Sequence, residues 1–411
     1  MNSGLIRSKT PVASACYLPG MLRLGVAFLL LGILSPAVSA APTPDSAAPL
    51  HTQTAWDLRP SLKYDAICLL NVLSGDPYYL QYYRAEYDHF APLFTPGEQA
   101  AFRRLKQVIK DEGGGIVSAD LALYLSAVDD ETLEQMIHTT RDHSALEAAL
   151  RRTPYWDPQA WVVFENIAPS LDTALGALQR VGFERWWETE VRPRIEKRIA
   201  EIAPALPRYN IVPAIERRLG FRLPSDRITV YLMAYSEPHG IRITGARFLT
   251  HVSYPFSIVL RNAIHEMMHP PFAAGRADVA AAIGRLGADP ILREKIEHHD
   301  RALGYNDVAG YVEEDCVQAL EAIIGEQFGV GRDQRAYWRE QDGGIHVLAA
   351  AIYLNYKREL APANTPMAFA DWLVRAVDAG QLQGDALVEV EHTFLGASVP
   401  RPAPTTPRKT P

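Results

Sequence analysis

The stretch "PFSIVLRNAIHEMMHPP", residues 255–271, is the feature that most restricts what this chain can fold into. On a helix, its apolar side chains would cover well over half of the circumference and leave one narrow polar strip. A helix of this kind is mainly buried, and buried polar groups without partners are costly, so the fold must supply partners for the strip. The strip holds Arg261, Asn262, His265, Glu266 and His269, with Ile258 intruding.

The pattern His-Glu-x-x-His within this stretch indicates a metal site. His265 and His269 are four residues apart, a spacing that places two helical residues one turn above each other on one face. Two imidazoles so arranged can bind one zinc ion, and Glu266 beside them can accept a proton from a metal-bound water. The alternative is a chance match on an ordinary helix. The apolar setting, directly after a group of predicted strands, favours metal binding.

A third ligand is required, because catalytic zinc sites use three protein ligands and leave the fourth position to water. The residue six after His269 is Gly275, so the third histidine of the metzincins is absent. A later acidic helix is therefore needed. The stretch "GYVEEDCVQALEAIIGEQFG" predicts a helix with an apolar face and an acidic first turn.

Several residues compete for the role of third ligand. Acidic residues in a first turn ordinarily compensate the helix dipole, which accounts for one or two of these charges. Glu314 lies beside the predicted buried face and is the preferred ligand, with Glu313 as the alternative. His298 and His299 are weaker candidates, because their predicted helix is rich in charged residues, which indicates that it is exposed to solvent.

With these two motifs the chain resembles the gluzincin metallopeptidases over about residues 228–356, and "EEDCVQAL" is similar to an uncharacterised bacterial family of this type. The resemblance implies that a strand before the active-site helix, around Arg247–Tyr254, pairs with an extended peptide substrate. One departure is Gln318, which stands where well-known gluzincins usually have an aspartate that holds a zinc-bound histidine. The resemblance implies zinc ligands His265, His269 and Glu314, with Glu266 as general base.

Such sites commonly stabilise the oxyanion with a tyrosine or histidine outside the ligand set. His346 and Tyr353 lie seven residues apart in the predicted helix "GGIHVLAAAIYLNYK", hence on one face, and are the catalytic candidates that we select. Tyr305 and Tyr311 are further candidates. The alternative for each is a core residue with a satisfied polar end.

The chain as a whole predicts a predominantly helical α+β protein, with a small sheet followed by a zincin-like His-Glu-x-x-His helix and a downstream helix that bears the glutamate. Strand alternation begins at Ile228, and two shorter strand patterns follow it. We divide the chain into a signal peptide (1–40), a flexible lead-in (41–55), a helical N-terminal region (56–225), a zincin-like catalytic region (226–395) and a disordered proline-rich tail (396–411).

The first forty residues have the composition of a secretory signal peptide. Basic residues precede the apolar run "LGVAFLLLGIL", and small residues follow it, with cleavage expected after Ala40 or Ala41. We therefore expect a secreted or periplasmic protein without stable membrane insertion after cleavage. The net charge of −7 makes the chain a poor candidate for nucleic-acid binding. Cys68 and Cys316 are expected to be two buried thiols in preference to a disulfide.

The sequence thus predicts a secreted zinc-dependent hydrolase, in the first instance a peptidase that acts on peptide or protein substrates. The competing hypothesis is a non-catalytic envelope or extracellular binding protein, in which the metal is structural or absent. An open fourth coordination position separates the two, since a structural zinc is closed by four protein ligands.

Overall fold

A computed structural model describes residues 49–273, 275–299, 306–360 and 367–396. The predicted signal peptide, all but one residue of the predicted tail, and the candidate Tyr305 lie outside these ranges. The described chain is mainly helical and contains one small mixed sheet, which confirms the predominantly helical α+β class.

The sheet consists of four strands: β1 (Ala55–Arg59), β2 (Arg227–Met233), β3 (Ile241–Ile243) and β4 (Arg247–His251). Their spatial order is β1-β2-β4-β3. β2 pairs in parallel with both β1 and β4, and β3 pairs antiparallel to β4. The side chains of Ile228, Val230 and Leu232 are fully buried, as the sequence pattern predicts, but Thr229 and Met233 on the other face of β2 are buried as well.

The position of β4 contradicts one expectation. The resemblance implied that the strand around Arg247–Tyr254 pairs with an extended substrate, but β4 already has β2 on one side and β3 on the other. β2 occupies one hydrogen-bonding edge along all of β4, and β3 occupies the other along Arg247–Leu249, so over these three residues β4 has no edge to offer a peptide. The outer strands of the sheet are β1 and β3.

The segment just before β1 is fixed to the fold, whereas residues 41–48 of the predicted flexible lead-in lie outside the described residues. From His51 onward, the described part of this segment is hydrogen-bonded: the amide of His51 donates to Glu216 at 2.7 Å, and that of Thr54 donates to Asn210 at 3.1 Å. β1 then pairs with β2, so the sheet joins the two regions that we had separated at residue 225.

The chain between β1 and β2 forms a series of helices, as predicted for the N-terminal region of residues 56–225. Thr95 begins one of them with a capping box, in which its side chain accepts from the amide of Glu98 and the Glu98 carboxylate accepts from the amide of Thr95. The helices are α1 (Leu62–Leu73), α2 (Pro77–Phe90), α3 (Pro96–Lys106), α4 (Val117–Leu125), α5 (Leu133–Arg141), α6 (Ser144–Leu150), α7 (Pro158–Arg180), α8 (Phe183–Trp186), α9 (Arg192–Ile202) and α10 (Ile211–Leu219).

The chain after β4 is also helical. Its elements are α11 (Phe256–Glu266), α12 (Ala277–Gly287), α13 (Pro290–His298), α14 (Val308–Gln327), α15 (Gln334–Glu340), α16 (Val347–Leu360), α17 (Phe369–Asp378) and α18 (Asp385–Glu389). α14 is the central helix of this part, because it packs against α10, α11, α12, α13 and α16. α14 begins at Val308, so Glu313 and Glu314 lie in its second turn and not in the acidic first turn that we predicted. This second turn lies against the end of α11.

Two further expectations concern single features of the fold. Cys68 and Cys316 are both fully buried free thiols, which confirms that prediction. Over the ranges that the structure describes, no helix combines the length and the apolar character needed to cross a membrane.

Candidate metal centre

The His-Glu-x-x-His motif lies at the end of α11 and not wholly within it. His265 and Glu266 occupy the last turn of the helix, whereas His269 follows in a turn. The prediction of both histidines on one helix is therefore wrong for His269. Its neighbour Pro270 accounts for this, because the residue before a proline is disfavoured in the helical conformation. The turn nevertheless brings Nε2 of His269 to 3.2 Å from Nε2 of His265.

Glu314, in the second turn of α14, completes a group of three buried side chains. Its Oε2 atom lies 3.6 Å from Nε2 of His265 and 3.7 Å from Nε2 of His269. Each of the three residues is at most 5% exposed. The structure thus brings together the three residues that the sequence analysis selected as ligands, and it places Glu314 in the group ahead of Glu313.

The spacing of these atoms fits a zinc ion. Ligand atoms about 2.0–2.1 Å from a tetrahedral zinc lie roughly 3.3 Å from one another. The three separations of 3.2, 3.6 and 3.7 Å are close to that value and need only small side-chain adjustments. Two imidazoles and one carboxylate are also a donor set that catalytic zinc sites use.

The electrostatics of the group favour a bound cation. Burial alone lowers the pKa of His265, but the carboxylates of Glu314 and Glu321 outweigh it and raise that pKa to about 10. Burial alone raises the pKa of Glu314, but the two imidazoles outweigh it and lower that pKa to about 2. The pocket therefore holds a carboxylate that requires positive charge beside it. A divalent cation can provide that charge in place of the imidazole proton, since metal binding releases protons from its ligands.

The outer nitrogens of both histidines face carboxylates. Nδ1 of His269 lies 3.0 Å from Oε1 of Glu313, and Nδ1 of His265 lies 3.8 Å from Oε2 of Glu321. Glu321 is in turn bonded by Arg332 at 2.9 Å. Carboxylates in this position orient metal-binding histidines. Sequence reasoning overlooked Glu321, although its position two helical turns after Glu314 could have indicated it.

Glu266, the predicted general base, is fully buried in the last turn of α11. Its carboxylate acts electrostatically on His265 and contributes to the raised pKa of that residue. Its backbone carbonyl accepts a hydrogen bond from Arg242, a residue of β3 that the sequence analysis did not select. β3 is thereby tied to the end of α11 that carries the site.

Two carboxylates outside the three-residue group contact the ring nitrogens of His346. Its Nδ1 atom contacts Asp315, and its Nε2 atom lies 3.0 Å from Oδ2 of Asp342, so both ring nitrogens face carboxylates. Burial lowers the pKa of His346, but these two carboxylates outweigh it and raise the pKa to about 10. The link to the group runs through Gln318, 3.2 Å from Nε2 of His346. This position suits structural support of Glu314 and does not fit the oxyanion-stabilising role that we predicted.

Tyr353 lies farther away. Its hydroxyl donates to Glu326 and accepts from Lys357. Glu326 follows Glu314 by twelve residues on α14, which corresponds to about 18 Å along the helix axis. The structure therefore separates Tyr353 from the metal-binding group. Helical periodicity correctly indicates which residues share a face, but it does not indicate what that face contacts.

The remaining candidates also have other partners. Nδ1 of His298 lies 3.0 Å from the carbonyl oxygen of Glu294, and Nδ1 of His299 lies 2.7 Å from that of Ile296. Tyr311 is fully buried and donates its hydroxyl to the carbonyl of Ile345.

The distances between side chains of this chain are thus the evidence for the candidate metal centre. In the part of the chain that the structure describes, His265, His269 and Glu314 form the one group of at least three potential metal ligands, with ligand atoms within 4.8 Å of one another. No protein-family model, curated protein or solved structure matches the chain.

Proposed function

We propose that this protein is a gluzincin-like zinc-dependent hydrolase, and specifically a peptidase. The observation that carries the proposal is the convergence of two imidazole nitrogens and one carboxylate oxygen, 3.2–3.7 Å apart, in a buried pocket. The carboxylate of Glu266 is buried beside them.

In this function His265, His269 and Glu314 hold the ion. A zinc ion held there would supply a Lewis acid that polarises the scissile carbonyl and lowers the pKa of the attacking water. Glu266 would take a proton from the attacking water, whose oxygen adds to the scissile carbonyl carbon, and would return it to the leaving amine as the peptide C–N bond breaks. Burial of Glu266 excludes bulk water from this proton transfer and strengthens its electrostatic interaction with the site.

The number of ligands favours catalysis over the competing hypothesis of a non-catalytic binding protein with a structural metal. A structural zinc is closed by four protein ligands, whereas a catalytic zinc has three and a water. Among the described residues, the group contains three potential ligands. A fourth coordination position is thus available for water and substrate.

The substrate would be a peptide or protein segment, bound outside the cytoplasm if the predicted signal peptide directs export. An extended peptide that joins the sheet needs an outer strand. β3 is an outer strand, and its Arg242 contacts the carbonyl of Glu266. We therefore assign to β3 the substrate pairing that the sequence analysis had assigned to the segment around β4.

The experiment that tests the proposal compares the mature chain with its Glu266→Gln variant by elemental analysis and by digestion of a peptide library. We expect one zinc per chain in both proteins and cleavage by the wild type alone. Glu201→Gln, an exposed glutamate of α9, serves as the matched control and should retain both properties. Zinc in both proteins without cleavage would support the binding-protein alternative, and the absence of zinc binding would exclude both metal hypotheses.

A further inference from the structure

Gln318 lies one turn after Glu314 on α14 and contacts its carboxylate. Nε2 of Gln318 donates a hydrogen bond of 2.9 Å to Oε1 of Glu314. Both side chains are 2% exposed, so water does not compete for this contact. The other carboxylate oxygen, Oε2, is the one that faces the two imidazoles. The two oxygens of Glu314 thus have different partners.

Trp338 determines which way the Gln318 amide points. The indole Nε1 of Trp338 lies 2.8 Å from Oε1 of Gln318, and an indole N–H can only donate. The amide oxygen must therefore face Trp338, and the amide nitrogen must face Glu314. Trp338 is itself fully buried on α15, which holds the donor in place. The orientation follows from the donor chemistry of the indole and not from a choice between similar atoms.

We infer that Gln318 is a positioning residue that keeps Glu314 a one-oxygen metal ligand and thereby reserves a coordination position for water. This inference rests on the metal binding proposed above. If Oε1 also bound the ion, four protein atoms would occupy the tetrahedral positions, and a water could then bind only as a fifth donor in a shell of higher coordination number. The hydrogen bond from Gln318 engages Oε1 and leaves Oε2 for the ion.

The neutral amide of Gln318 is suited to this purpose. It donates to the Glu314 carboxylate without adding a second negative charge beside it. A carboxylate at position 318 would face Oε1 of Glu314 at hydrogen-bond distance as a second acceptor, and it could not replace the donated N–H of the amide. Gln318→Glu is nearly the same size as the wild type, so it changes the charge with little change in packing.

The test uses Co²⁺ as the probe, added to the metal-free mature chain, because the intensity of its visible spectrum distinguishes four-coordinate from higher-coordinate sites. In the wild type we expect the intense spectrum of four-coordinate cobalt. Gln318→Met should bind Co²⁺ about 10–100-fold more weakly and give the weaker spectrum of a higher coordination number at saturation. Trp338→Phe removes the N–H that orients the amide and should change the spectrum in the same direction.

Gln81→Met, an exposed glutamine of α2, is the matched control and should reproduce the wild-type spectrum. Thermal melting followed by circular dichroism identifies a variant that has lost its fold, and Gln318→Glu, with weakened Co²⁺ binding expected, then provides the decisive measurement. A wild-type spectrum and affinity in the folded Gln318 variants would overturn the inference while leaving the proposed function intact. Failure of the wild type to bind Co²⁺ or zinc would overturn both.

Discussion

Oε1 of Glu313 lies 3.0 Å from Nδ1 of His269, the ring nitrogen that does not face Glu314. Glu314 approaches the same imidazole from the other side, with Oε2 3.7 Å from Nε2. Two consecutive glutamates of α14 therefore contact opposite nitrogens of one histidine. The arrangement assigns them different functions: Glu314 offers an oxygen to the ion, and Glu313 holds the ring in the tautomer that leaves Nε2 available.

Removal of the Glu313 carboxylate should weaken zinc binding. We expect Glu313→Ala to lower zinc affinity about 10–100-fold, because loss of a carboxylate that orients a metal-bound histidine typically has this effect. Glu313→Gln should lower it less, since the amide oxygen can still accept from Nδ1. Titration against a zinc chelator measures both. Wild-type zinc affinity in the alanine variant would show that Glu313 does not orient His269 and serves only to compensate the helix dipole.

Substitution of Glu314 should have a larger effect than any change at Glu313. Glu314→Gln removes the charge that balances the cation, so zinc affinity should fall by at least about 10–100-fold and hydrolysis should cease. The side chain remains nearly the same size, so the circular dichroism spectrum should be retained. Zinc content after dialysis provides the measurement. Near-wild-type zinc in this variant would mean that other residues hold the ion.

Glu321 provides a third test, because it connects His265 to Arg332. Glu321→Gln weakens the support of Nδ1 of His265, 3.8 Å away, and leaves the guanidinium of Arg332 without its buried counter-charge. We expect zinc affinity to fall by about tenfold or more. Glu326→Gln on the same helix is the matched control, since Glu326 is bonded to Tyr353 and Lys357. Equal effects of the two substitutions on zinc affinity would contradict this assignment.

Much of the centre could be predicted because it depends on local spacing. The interval between His265 and His269, and the apolar face beside Glu314, are properties of a few turns of chain. The position of His269 beyond the helix was also predictable, since Pro270 follows it directly and disfavours helical geometry at the preceding residue.

The parts that could not be predicted depend on contacts between distant segments. β1 is a five-residue strand whose neighbour on the sheet lies about 170 residues later in the chain, at Arg227–Met233, and a short strand is stabilised by its pairing more than by its own sequence. One edge of β4 is likewise filled by β2, in a parallel pairing that crosses over the intervening β3. His346 and Tyr353 share a predicted helical face, but the tertiary packing of α14 against α16 decides which residues each of them meets.

Asp65, on α1, is a buried carboxylate outside the candidate site. Its Oδ1 atom accepts from the backbone amides of Ala234 and Tyr235, and its Oδ2 atom accepts from the indole of Trp187 at 2.8 Å. Burial raises the pKa of Asp65 to about 7, although these donors partly oppose the shift. In the unfolded chain the pKa of an aspartate is about 3.9. Between these two values the folded state therefore binds more protons than the unfolded state.

The free energy of unfolding should consequently depend on pH through the titration of Asp65. The contribution of Asp65 is fully present below about pH 4 and is lost as the pH rises towards 7, by on the order of 4 kcal/mol. Asp65→Asn cannot ionise, so the free energy of unfolding of the wild type should fall relative to that of the variant over this window. Urea denaturation of both proteins in the presence of a chelator, at several pH values from about 4 to 8, measures the difference. Parallel curves would show that the three N–H donors keep Asp65 ionised in the folded protein, with its pKa near that of the unfolded chain.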